Sequence, residues 1–417
     1  MTAPLPVELT PPDITPWRAG NTGLAYVHRF EAAVPGPNVM VQALTHGNEI
    51  CGAIALDWLL QRGFMPLRGQ LTLAFANTEA YARFDANDPY PSRCVDEDLN
   101  RVWGDDQLFG PRDSVELRRA RQLQPFVDAA DLLLDIHSMS EPCRPLMVCG
   151  TVDKNAALAR ELGVPADLLI DTGHAAGLRM IERGGFGDPA NPRRALLVEC
   201  GYHWERAAAE VAIDTLVRFL GLAGMADAAW VQAQARLPLP AEQRLVRVTE
   251  AVVARSKDFR FLVPTVGLSV VPRAGTPIAQ DGDHVWVTPY DDTVLVMPGT
   301  HNLKPGGTAV LRARGGQPGL AVLGRTRAAD EGHGAARRVP LQQAAHVVGQ
   351  GVVDVRLDIA PEGQRHAAVG RRLDAAGHVV LQHPGRPARK GVLRGVVFVR
   401  GLRRRPVVAP AGRNTPR

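Results

Sequence analysis

Six apolar runs of strand length punctuate the first two hundred residues, at 39–44, 71–76, 132–136, 146–149, 168–170 and 195–199. Runs this short and this unbroken read as strands buried on both faces rather than as helices. Helical patterns lie between them. Ile50, Ile54 and Trp58 recur every four residues before Arg62-Gly63 closes that segment, and Val211, Leu216 and Leu220 mark another helix over about 205–220. Asp113 with Glu116 three residues on resembles a capping box that opens a third. Strands alternating with helices predict an α/β layer fold over residues 1–240.

The texture then changes twice. Short β-branched runs at 245–248, 266–271, His284–Val287 and Thr293–Val296, separated by Pro, Gly and Asp turns, predict a small all-β domain over 241–322. Beyond it, 323–417 is rich in Arg, Gly, Ala and Val, with Phe398 as the last aromatic and Lys390 as the last lysine. That composition offers no core and reads as a disordered Arg-rich tail, although a shifted reading frame in a GC-rich gene gives the same bias. The net charge of +5 is confined to this end. Residues 331–417 hold 16 basic and 5 acidic groups, so the remaining body is mildly acidic. An argument for nucleic-acid binding would therefore rest on the tail alone, which lacks aromatic stacking platforms; nucleic acid is not an expected partner. Five scattered cysteines without CxxC spacing exclude a cysteine-based zinc site or a disulfide framework. No apolar stretch approaches a membrane span and the N-terminus has no signal-peptide pattern, so the expected location is the cytoplasm.

Chemistry concentrates at strand ends. His46-Gly47-Asn48-Glu49 directly follows the run 39–44. The His-x-x-Glu spacing is weak on its own, and His28 with Glu31 repeats it inside the alternating stretch LAYVHRFEA, where it reads as surface decoration of a strand. His46 differs because it sits at the carboxyl end of a buried strand, the rim where ligand sites of α/β sheets assemble. Gly47 permits a tight turn there. Likewise Leu132-Leu133-Leu134-Asp135-Ile136 runs into His137, and Ala195-Leu196-Leu197-Val198 runs into Glu199. Two histidines and one glutamate are the ligand set of one catalytic zinc class that leaves a position open, and a further carboxylate can take a proton from water. Between these elements lies Pro91-Ser92-Arg93-Cys94-Val95-Asp96-Glu97-Asp98-Leu99-Asn100-Arg101. It is either a solvated charge run or a substrate clamp, in which one arginine fork grips a carboxylate and another polarises an amide oxygen.

HGNE, DLNR, DIHS and VECG, in that order, resemble the succinylglutamate desuccinylase/aspartoacylase family of the zinc carboxypeptidase (M14) superfamily over roughly residues 38–310. The resemblance implies a carboxypeptidase-like mixed sheet flanked by helices, followed by the small β domain. It implies one zinc ion per chain on His46, Glu49 and His137, with Glu199 as general base and then acid. Arg93 would stabilise the oxyanion, and Asn100 and Arg101 would hold a substrate carboxylate. Asp98 would orient a ligand histidine, His46 being the expected one. Tyr290 is the candidate for a tyrosine that the family places over the site; a turn aromatic packed on the β domain is the alternative. Arg179 and Arg183 are candidates for a further substrate arginine, while His174 has no evident partner. The long tail departs from the family pattern. The implied reaction is hydrolysis of a small N-acyl amino acid by zinc-activated water, with no membrane involved. A zinc carboxypeptidase acting on peptides and a non-catalytic metal-binding protein are the alternatives. Neither the acyl group, the amino acid nor the oligomeric state is legible.

Overall fold

In the computed structural model, the described residues are 6–171, 176–264, 266–299 and 303–315, together with the backbone of three short strands farther on. The strands are β1 (Val27–Glu31), β2 (Asn38–Ala43), β3 (Gln70–Phe75), β4 (Leu132–Met139), β5 (Leu146–Val148), β6 (Asp167–Ile170), β7 (Arg194–Tyr202), β8 (Arg244–Val253), β9 (Arg260–Phe261), β10 (Ser269–Val271), β11 (Pro277–Asp281), β12 (His284–Val287), β13 (Thr293–Val296) and β14 (Thr308–Gly315). The helices are α1 (Ile50–Gln61), α2 (Thr78–Tyr81), α3 (Asp105–Leu108), α4 (Val115–Ala129), α5 (Asp153–Leu162), α6 (Arg206–Leu222) and α7 (Ala228–Gln234).

One mixed sheet of eleven strands, ordered β1-β3-β2-β4-β7-β5-β6-β8-β14-β13-β10, organises the molecule. Its centre is parallel: β2 pairs with β3 and with β4, and β4 pairs with β7. These strands are apolar along almost their whole length because helices or packed segments cover both faces. On one face α1, α5 and α6 bury Leu56, Leu59, Leu158, Leu216 and Phe219 against Val41, Leu134, Ile136 and Val198. On the other, α4 and segments around Trp103 and Phe186 cover Leu133, Leu197 and Leu146. Helix α1 is buried nearly all round, as its uniform apolar composition requires.

The strands after residue 241 do not stand apart from this sheet. β8 pairs in parallel with β6, and β14, β13 and β10 continue outward, so residues 1–324 form one compact unit. Pairing covers what would otherwise be an exposed β6 edge. A buried carboxylate pins the junction, since Asp167 bonds Arg144 Nε at 2.5 Å and Arg244 Nε at 2.8 Å. A separate small sheet, β12-β11-β9, flanks the end of this unit. The alternating stretch around His28 is indeed a strand, β1, whereas sequence patterning missed β9, β11 and β14; β9 is two residues long, and β14 carries arginines that blur alternation. At α4 the expected cap is corrected: Ser114 accepts from Leu117 N at 3.0 Å, while Asp113 faces Arg118 and Glu116 turns inward.

Residues 325–417 are a second unit. Of it the backbone of an antiparallel sheet is described, β15 (Arg371–Leu373), β16 (Val379–Leu381) and β17 (Arg389–Lys390). The expected tail, 323–417, otherwise lies outside the described residues. Among those described, no helix is long and apolar enough to cross a membrane.

Leu134 is fully buried in β4 beneath α1 and α6. Leu134→Ala is expected to lower unfolding stability by about 2–5 kcal/mol in a denaturant titration, the range for an unrelaxed core cavity.

Candidate metal and hydrolytic centre

The register of the parallel strands places three chain segments at one rim. Ala43 lies beside Ile136, Ile136 beside Val198, and His137 beside Glu199, so β2, β4 and β7 deliver their next residues together. After β2 the chain turns through Leu44, which is fully buried in the left-handed region at φ 59°. Gly47 is needed for close approach rather than for its dihedral angle. A Cβ there would lie 2.4 Å from both Ser92 O and Tyr81 N, and Gly47 N donates to Arg93 O at 3.0 Å. Trp204, just past β7, holds the same turn by donating its indole N–H to Asn48 O at 3.0 Å. Glu49 then occupies the N-cap position of α1 without a side-chain capping bond, its carboxylate turned to the histidines at the positive end of the helix dipole.

His46, Glu49 and His137 each offer a ligand atom within 4.8 Å of the others, and all three are buried. Each imidazole is gripped from behind. His46 Nε2 meets Asp98 Oδ1 at 2.8 Å, and His137 Nε2 meets Asp135 Oδ2 at 2.7 Å. Asp135 is itself fixed by Thr45 Oγ1 at 2.8 Å, which receives Gln42 Nε2 at 2.9 Å. The Nδ1 atoms face Glu49, 2.7 Å from Oε1 for His46 and 2.9 Å from Oε2 for His137, and His46 Nε2 also receives Arg93 Nη2 at 2.9 Å. Two ring nitrogens and a carboxylate converging on one buried point form a set that either ring protons or a cation can satisfy. Burial favours a neutral Glu49 carboxyl, yet His46 and His137 hold it well below the usual carboxylate range. Conversely, burial opposes a charged His137, but Asp135 and Glu49 raise it well above the ordinary imidazole value. The donor set, two imidazole nitrogens and a carboxylate oxygen each backed by further groups, suits zinc.

Glu199 stands beside His137 with Oε2 buried and without a hydrogen-bond partner among the described groups. Burial lifts its carboxyl to about 8, against His137 and with help from Glu49. Arg93 lies across the site. Its Nη2 bonds Asp98 Oδ2 at 3.1 Å, its Nη1 reaches Glu49 Oε1 at 3.4 Å, and its side chain keeps 40% exposure, so a ligand can reach it. Asp98 also caps a short turn through Asn100 N at 2.8 Å. Asn100 Oδ1 accepts from Met180 N at 3.1 Å, which leaves its NH2 as the group it can offer. Arg101 follows, with Nη1 on Asn100 O at 2.7 Å; burial lowers its pKa against the charge of Asp98.

The other sequence candidates lie elsewhere. Tyr290 gives its hydroxyl to Thr249 at 2.7 Å and its ring to Arg314 at 4.2 Å, contacts on the β8–β14 side of the sheet. Arg179 is engaged by Asp171 and Glu182, and Arg183 by Asp128 and Asp105. His28 lies on β1, bonded to Trp17 O at 2.9 Å. His174 is outside the described residues. Sequence reading missed three contributors. Asp135 had a signal, a lone carboxylate two residues before His137 in an apolar strand. His203, whose Nδ1 pairs with Ser138 Oγ at 2.8 Å, and which burial lowers to about 3, had none. Glu116 is the third. This fully buried carboxylate accepts from Val95 N (2.6 Å), Asp96 N (3.0 Å), Glu97 N (3.2 Å) and Asn77 Nδ2 (2.9 Å). Asn77 N in turn donates to Leu44 O at 2.7 Å, so one side chain joins the Arg93–Asp98 loop to the His46 turn.

Residues 35–191 match the succinylglutamate desuccinylase/aspartoacylase catalytic domain. Similar solved structures include the succinylglutamate desuccinylases of Vibrio parahaemolyticus (18% identity, 70% of this chain and 86% of that one, TM-score 0.53) and Vibrio cholerae (16%, 70% and 86%, TM-score 0.51). A third is the succinylglutamate desuccinylase/aspartoacylase of Rhodobacter sphaeroides (17%, 70% and 89%, TM-score 0.50). At these identities the likeness is one of fold. No curated protein matches the sequence.

Replacing Glu116 by Gln removes the charge and at least one of its acceptor sites while keeping its volume. Zinc affinity is expected to fall roughly 10- to 100-fold through the loosened Asp98, as when a group behind a ligand is lost. Competition with a chromogenic chelator measures this, and unchanged affinity would show that the loop does not depend on Glu116.

Proposed function

We propose that this chain is a member of the succinylglutamate desuccinylase/aspartoacylase family, whose catalytic domain residues 35–191 match, and that it hydrolyses the amide bond of an N-acyl amino acid in a zinc-dependent reaction. The observation that carries this reading is the pairing of two features at one rim: His46, Glu49 and His137 converge with their ligand atoms within 4.8 Å of one another, and Glu199 stands beside them with an unpaired buried oxygen. The first three residues would hold zinc, which supplies a Lewis acid for water and for the amide carbonyl.

The chain's own groups then divide the work. Glu199 accepts a proton from the attacking water and returns it to the departing amine, and the positive charge of a bound cation beside it would favour the carboxylate form that this first step needs. Arg93 has fixed guanidinium geometry through Asp98 and Glu49 and donates to the carbonyl oxygen as negative charge grows there. Asn100 and Arg101 fix the register by holding the substrate carboxylate, the guanidinium fork matching its two oxygens. Asp98 and Asp135 keep both imidazoles turned the right way. The products are a free carboxylate and an amino acid.

A hydrolysis screen of N-acyl amino acids with zinc-loaded wild type and Glu199→Gln tests the reading. Glutamine keeps the shape but cannot carry the proton, so kcat is expected to drop about 10²- to 10⁴-fold with zinc content unchanged. A Glu199→Gln enzyme as active as wild type would sink the mechanism. Arg93→Ala is expected to lower kcat roughly 10²- to 10³-fold without loss of folded protein, read by the same assay and by thermal unfolding.

A further inference from the structure

A cavity of about 780 Å³ lies beside the carboxylate clamp, between β8, β14 and the segment 176–187. The two are neighbours through that segment. Trp103 N donates to Leu178 O, Met180 N donates to Asn100 Oδ1, and the charges of Arg179 and Glu182 act on the Arg101 guanidinium. Its walls include Leu178, Val248, Ala251 and Leu311. A bulge at Thr249 lets Val248 and then Ala251 face the same side, since Val248 pairs with Ala313 while Glu250 pairs with Arg312.

The charges decide what this space can take. No Lys or Arg lines it among the described residues, and its charged lining groups are Asp171 and Glu182. Both carboxylates are engaged by Arg179, whose Nη1 and Nη2 meet Asp171 at 2.7 Å each and whose Nη2 and Nε meet Glu182 at 2.6 and 3.1 Å. Arg179 therefore has four N–H groups committed and lies behind acidic side chains. Arg183 is committed in the same way, to Asp128, Asp105 and Trp103 O. A ligand carboxylate entering the cavity would lose its water and meet two carboxylates, with no Lys or Arg among the described lining residues to offset them.

Resting on the hydrolase reading above, we propose that this cavity receives the side chain of the leaving amino acid and selects neutral, apolar side chains over acidic ones. The substrate then bears one carboxylate, held by Asn100 and Arg101, with its apolar side chain against Leu178, Val248 and Leu311. The selectivity comes from a missing partner as much as from contact.

The test compares N-acetyl-L-leucine, N-acetyl-L-aspartate and N-acetyl-L-lysine on the zinc-loaded full chain. The leucine compound is expected to exceed the aspartate compound on the order of 100-fold in kcat/KM. Ala251→Arg, which adds a cation at an accessible position of the wall, should shrink that ratio at least tenfold, whereas Ala251→Gln should leave it near the wild-type value. Aspartate or lysine derivatives handled as well as leucine would overturn the proposal, as would a ratio indifferent to Ala251→Arg. Calorimetric binding of the same compounds to Glu199→Gln separates selection from catalysis. Selective binding of the leucine compound with no turnover by wild type would uphold the cavity and overturn the hydrolase reading; absence of selective binding overturns the cavity.

Discussion

Two imidazoles and one carboxylate held with their ligand atoms at one buried point are the constraint on which the rest of the site depends. Buried groups this rich in lone pairs are unfavourable together unless something positive, a proton or a metal ion, stands between them. Glu49, Asp98 and Asp135 bring three formal negative charges to this spot and Arg93 brings one positive charge, leaving a deficit that a divalent cation meets. A proton on His137 meets part of it too, which is why His137 is raised and Glu49 lowered. Metal and proton therefore compete at His137, and affinity for the ion drops as pH is lowered.

Everything around this centre keeps these three side chains facing one another. Asp98 and Asp135 come from a loop and a strand, yet they hold the two rings by the same nitrogen. The loop is long and polar, and cannot be fixed by apolar packing alone. Glu116 supplies what packing does not, by collecting three consecutive backbone N–H groups into a buried carboxylate. Gly47 contributes by its absence of a side chain, allowing the His46 turn to touch the backbone at Ser92 and Tyr81. The rim is rigid because separate segments each lean on the backbone of the next.

Much of this was legible in the sequence. The central strands and α1 followed from apolar runs and period, because parallel strands and a buried helix leave a continuous apolar signal. Strand-end position separated His46 and Glu49 from His28 and Glu31, and the structure places the second pair on β1 at the sheet's edge. What stayed hidden was long-range. Glu116 looked like part of a helix cap, since nothing local reveals that its partners lie at 95–97. The run at 245–248 looked like the start of a separate domain, because β6, its partner, is about 75 residues earlier in the chain. Tyr290 looked available to a site, but an aromatic in a turn says nothing about Thr249 and Arg314 as its neighbours.

Arginine poses the same problem in its sharpest form, because residue type conveys charge but not whether that charge is free. Arg93, Arg101, Arg179 and Arg183 are equivalent in the sequence as candidates to grip a carboxylate. Folding divides them. Arg179 and Arg183 are each surrounded by two carboxylates and become struts that fix the segment 179–183 against Asp171 and α4. Arg93 shares Asp98 and Glu49 yet keeps an open face, and the guanidinium of Arg101 has the Asn100 carbonyl and the nearby charge of Asp98 as neighbours. A buried arginine matched by two carboxylates cannot take a third without breaking an ion pair, at a cost that a single substrate carboxylate does not offset.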